Sequence, residues 1–102
     1  MGLEYVIEDE NRTTLREVGD PRGILTGLLD RAHDEGLPLL SGIDRYGDTV
    51  FNRQQIPRVS DEWRSLLRWA STEEQRALIG EIVVLCEECQ SSIHIYLRIV
   101  GD

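Results

Sequence analysis

Leu3, Tyr5 and Ile7 fall on alternate positions, the spacing of a strand with one buried face, and Thr13–Val18 offers a second such segment after the polar stretch Asp9-Glu10-Asn11-Arg12. Together they predict an N-terminal hairpin. Asp20 followed by Pro21 has the form of an N-cap and first helical residue, and Gly36 with Pro38 that of a C-cap and stop, so a helix is predicted between them. Ile24, Leu25, Leu28, Leu29 and Ala32 recur at three- and four-residue intervals and form its apolar stripe. Gly23 and Gly27 share one side of that helix and weaken it.

Leu39–Asp44 reads as extended, Arg45-Tyr46-Gly47 as a turn and Asp48–Asn52 as a returning strand, a second hairpin. Ile56, Val59, Trp63, Leu66, Leu67 and Ala70 follow a helical period, which puts Pro57 in the first turn or at a kink. Two overlapping capping boxes, Ser71 with Glu74 and Thr72 with Gln75, open the next helix. Leu78, Ile82, Leu85, Cys86 and Cys89 form its main stripe. Ala77, Ile79, Val83 and Val84 widen that stripe so far that the helix must be central, or covered on a second side by a partner. Finally, Ile93, Ile95, Leu97 and Ile99 alternate with His94, Tyr96, Arg98 and Val100, which predicts an interior strand. The order ββαββααβ gives an α+β fold: a mostly antiparallel sheet of about five strands with three helices on one face, in a single domain over residues 1–102.

Composition narrows the class. With 40% apolar and 29% charged residues, the 102-residue chain has the balance of a folded globule. Nineteen acidic against 11 basic residues leave a net charge of −8, which repels nucleic acid and anionic membranes and favours a basic protein partner. Every basic residue is arginine, which suits planar and stacked contacts but is more simply explained by arginine codons in a GC-rich genome. No run approaches the ~20 apolar residues that span a bilayer, and Met1-Gly2-Leu3-Glu4-Tyr5 has no basic start or apolar signal core. With two cysteines three apart on a helix, where a disulfide would close almost no loop, a reducing cytoplasm is the expected location.

Candidate chemistry is sparse. Cys86 and Cys89 have the spacing of one metal-binding arm, but a structural zinc site needs a second, and only His33 and His94 remain to supply it. Buried, reduced thiols are the simpler reading, and neither histidine has an adjacent nucleophile. No nucleophile elbow, zinc-protease, phosphate-loop or dinucleotide motif is present, so no catalytic residue, cofactor or metal is assigned. The turn Asp44-Arg45-Tyr46-Gly47-Asp48 instead gathers two carboxylates, an arginine and an aromatic ring at an exposed tip, a composition suited either to partner contact or to a plain turn with solvating charges. Trp69, lying beside its helix's stripe, is a second contact candidate, and the strand face bearing His94, Tyr96 and Arg98 a third.

Ser41–Asn52, with Asp44-Arg45-Tyr46-Gly47-Asp48 at its centre, resembles a segment of short bacterial proteins of the general kind that includes immunity proteins, which neutralise a cognate toxin. The resemblance implies a stand-alone bacterial protein and assigns no residue a role. Combined with acidity and the missing catalytic motifs, it makes an inhibitor of a basic toxin domain the leading expectation. An oligomeric scaffold or regulatory subunit, and a small enzyme using Asp44 and Asp48, are the other two readings.

Overall fold

The computed structural model describes residues 2–101. Strands β1 (Glu4–Asp9), β2 (Thr14–Gly19), β3 (Asp48–Phe51) and β4 (Ile95–Val100) form one antiparallel sheet in the order β2-β1-β4-β3. Helices α1 (Thr26–Asp34), α2 (Ile56–Ser65) and α3 (Glu73–Gln90) complete an α+β fold. Among the described residues the strands number four, not five.

The missing strand is Leu39–Asp44. Leu40–Gly42 is a turn of 3-10 helix, which buries Leu40 and Ile43, three residues apart, on one side. Glu62 of α2, itself buried, accepts hydrogen bonds from the backbone N–H groups of Leu39 (3.2 Å) and Leu40 (2.8 Å). A carboxylate from a distant helix thus takes the donors that a strand ladder would have used, and the expected second hairpin does not form. β3 pairs instead with β4.

The N-terminal hairpin forms as expected, with Asp9 Oδ1 accepting from the N–H groups of Asn11 and Thr13, both at 2.9 Å, inside the turn. Asp20 caps, but it caps a turn rather than a helix: its carboxylate accepts from Ile24 (2.8 Å) and Leu25 (3.0 Å), Gly23 sits at φ 65°, and α1 starts only at Thr26. Gly23 is therefore outside the helix. At the other end Gly36, at φ 70°, donates to His33 O while Leu37 donates to Ala32 O, a Schellman closure that favours glycine for its left-handed backbone.

Pro57 lies in the first turn of α2, which ends at Ser65 and tightens into a 3-10 turn, Leu66–Trp69, instead of continuing to Ala70. Of the two capping boxes, one is used: Thr72 Oγ1 accepts from Gln75 N at 3.1 Å, while the Gln75 amide oxygen accepts from Ser71 N at 2.7 Å.

The helices pack on the sheet face that carries Tyr5, Ile7, Phe51, Leu97 and Ile99, and Trp63 of α2 meets Tyr5 edge-on at 5.8 Å. β4 lies between β1 and β3 and is paired on both sides, as its alternation implies. It starts at Ile95, however. Ile93 is 68% exposed, and His94 has φ 64°, so the backbone reverses there and the alternation breaks before the strand begins.

Candidate protein-binding face

Because side chains alternate across a strand, the residues between the core positions all project from the opposite face of the sheet. They include Glu4, Val6 and Glu8 of β1, Thr14 and Glu17 of β2, Asp48 and Val50 of β3, and Tyr96, Arg98 and Val100 of β4. Val50 is 52% exposed, and Tyr96 and Arg98 are partly so, so this face meets solvent.

Arg98 occupies its middle. It stands across from Val6 on one side and Val50 on the other. Its Nη2 donates to Glu8 Oε2 at 2.8 Å and its Nη1 to Asp48 Oδ2 at 2.9 Å, so carboxylates on both flanking strands hold one guanidinium. The hydrogen bond to Glu8, followed by that to Asp48, raises the Arg98 pKa above its already high ordinary value. The group is a permanent, fixed cation. Glu8 is buried beneath it at 4% exposure. A shallow groove of about 520 Å³ runs along this part of the face, lined by Glu8, Asp9, Glu10, Arg12, Asp48, Val50, Tyr96 and Arg98.

The expected contact residues are distributed over this frame. Asp48, Tyr96 and Arg98 come together in the groove. Asp44, Arg45 and Tyr46 form a loop at the end of the sheet where β3 begins and β4 ends, rather than the tip of a hairpin. That loop is tied down: Asp44 N donates to Thr49 Oγ1 (2.9 Å), Tyr46 N to Asp44 Oδ1 (2.9 Å), and Gly101 N to Gly47 O (2.7 Å). Arg45 pairs with Asp30 of α1 at 2.7 Å. The Tyr46 ring stands furthest outside, 86% exposed.

His94 lies at the opposite end of the sheet, 3.6 Å from Glu10 and half exposed or more. The six residues of β4 between it and the Tyr46 loop span roughly 20 Å. Trp69 belongs to the helix layer, where the Arg31 guanidinium lies 3.5 Å from its ring centroid and that of Arg68 5.6 Å. It is not among the residues that line the sheet-face groove.

Glu8, Val6 and Val50 escaped the sequence reading, although two signals were present. A long cation in the middle of an interior strand requires an anionic neighbour, and Val6 and Glu8 occupy the polar phase of the first alternating segment.

Cys86 and Cys89 are both free and fully buried on the inner side of α3, and Cys89 Sγ contacts Ile95 O at 3.4 Å. Burial, reinforced by the neighbouring Cys89 thiol, pushes Cys86 up to about 12, and burial pushes Cys89 up to about 11, so neither is a thiolate near neutral pH. Among the described residues no cluster of three or more His, Cys, Asp or Glu side chains is placed to hold a metal ion, and no helix is long and apolar enough to cross a membrane.

Comparison with protein-family models, with curated proteins and with solved structures returned no match to the chain.

Proposed function

We propose that the chain is a protein-binding inhibitor of the immunity type, and that it covers a basic partner domain with the solvent-facing side of its sheet. The observation that supports this reading is the make-up of that side. A solvated sheet face is ordinarily polar at its outward positions, yet here the exposed Val50 and the partly exposed Tyr96 flank an arginine that is already fixed by two carboxylates, with Val6 buried on its other side. An apolar centre with an aromatic ring and an immobilised arginine has the composition of a binding hot spot.

Its border is acidic. Glu4 and Glu17 project from the same face and take part in no ion pair among the described residues. Together with the net charge of −8, they would draw in and orient a cationic surface. Because strands carry the contact residues and Arg98 is held in place, little side-chain entropy remains to be lost on binding.

The test is co-expression with the product of the neighbouring reading frame, followed by purification and titration. A one-to-one complex is expected, in which Tyr96→Ala and Val50→Asp each weaken binding by roughly 2 kcal/mol, about 30-fold. If Trp69→Ala abolishes binding while both sheet variants bind normally, the helix layer carries the contact and the reading fails.

A further inference from the structure

α3 is wider than the sheet it covers. Leu78, Ile82, Leu85 and Cys89 lie buried in the core, but a second strip, Ala77, Gly80 and Val84, remains exposed, Val84 to 46%. Together with Val18 of β2 it lines an open groove of about 510 Å³ between the helix and the sheet edge. β2 is hydrogen-bonded to β1 along one side, and along the other it has no strand neighbour among the described residues. Gly80 sits inside α3, where glycine weakens a helix, yet a Cβ at that position would meet nothing within 4 Å. The fold itself gains nothing from glycine here. The missing side chain leaves room for something outside the fold to approach the helix.

We infer that this groove accepts an extended, positively charged segment of a partner protein, which pairs with β2 as a fifth strand and rests its small or β-branched side chains over Gly80. The outer edge of β2 supplies unused backbone donors and acceptors, and the exposed strip of α3 supplies the apolar floor that an added strand must cover. Charge selects the occupant. Arg16 is engaged by Glu88 at 2.8 Å, whereas Glu81, on the helix side of the groove, takes part in no ion pair among the described residues. A cationic segment answers that carboxylate.

A second copy of the chain fits less well. Two-fold antiparallel pairing of β2 with itself must set one residue against its own equivalent, and the registers that use most of the strand oppose Arg16 to Arg16 or Glu17 to Glu17. It would also bring together two chains of charge −8. This edge contact is separate from the open sheet face and does not rest on it.

The full chain, isotopically labelled, is titrated by nuclear magnetic resonance with an eight-residue peptide alternating valine and arginine. Two controls accompany it: the same peptide with a central proline, and one alternating valine and glutamate. Shifts are expected along Thr14–Gly19 and Ala77–Val84, with at least about tenfold slower exchange of the outward β2 amides at saturation. Both controls should bind at least about tenfold more weakly. Gly80→Arg, whose Cβ would meet nothing within 4 Å, should lose the peptide while keeping its circular dichroism and a melting point no lower than that of the parent chain. The inference is overturned if the proline peptide binds equally well, if the shifts spread over the acidic surface without amide protection, or if the chain alone sediments as a dimer that Gly80→Arg converts to monomer.

Discussion

Arg98 shows how much of the candidate site depends on one side chain. Glu8 is buried beneath it, so removing the guanidinium leaves a carboxylate out of water with no partner, a situation worse than having neither group. Arg98→Ala should therefore lower the unfolding midpoint, and Glu8→Gln added to it should recover part of the loss; a strictly additive double mutant in thermal denaturation would show that the two do not act as a pair. Tyr5 presents the opposite case. Its hydroxyl is buried without a hydrogen-bond partner, and burial raises its pKa well above the ordinary range. Tyr5→Phe should keep or raise stability, whereas Tyr5→Ala, which also removes the ring from Trp63, should cost about 3–5 kcal/mol in denaturant unfolding. At this scale the sequence was half legible. Asp48, Tyr96 and Arg98 could be singled out by residue type and phase, and they do meet. Asp44 could not be judged, because a carboxylate that accepts from Tyr46 N to shape its own turn looks, in sequence, the same as one held out for a partner. Gly101 gave no signal at all: a Cβ there would lie 2.5 Å from the Arg45 carbonyl, a close approach made by the far end of the chain.

Elements with a strong internal period were readable, and those fixed by a distant partner were not. The N-terminal hairpin, α3 and β4 follow from alternation, capping and the helical repeat. Leu39–Asp44 has the residues of a strand but becomes a turn because Glu62, far along the chain, claims its N–H groups. The excess width of the α3 stripe was likewise visible, and the structure resolves it into a buried strip and an exposed one. From that follows a stability prediction: Gly80→Ala, with open space around the new methyl group, should stabilise the chain by about 1 kcal/mol in denaturant titration, and a loss of stability would mean that the glycine serves the fold itself. The buried thiols give α3 a pH signature. Their folded pKa values, about 12 for Cys86 and about 11 for Cys89, lie above the ordinary value of 9.0. The folded state thus holds its protons where the unfolded state releases them, so the thiol contribution is complete below pH 9 and declines as pH rises toward 11 and beyond. Cys86→Ala should flatten that decline, and both native thiols should resist a thiol reagent at pH 8 unless the protein is unfolded.

On the scale of the whole molecule, the four strands and three helices make a two-layer fold with one face of the sheet left open, and the net charge of −8 surrounds that face with an attractive field for cations. The sequence conveyed the layers and the sign of the charge. It could not convey which face stays open, because that depends on β3 joining β4 across forty-odd intervening residues rather than pairing with its own neighbour. If the open face receives a basic domain, association should slow steeply as salt rises while dissociation changes little, since long-range attraction acts on the encounter. The most direct measurement is amide hydrogen exchange of the chain alone and in a one-to-one complex with the basic partner domain proposed for it. New protection is expected at Val50 and Phe51 and from Tyr96 to Arg98, with the amides around Trp69 and Arg31 unchanged. Protection confined to the surface around Trp69 and Arg31, with the sheet-face amides exchanging as they do in the free chain, would contradict it.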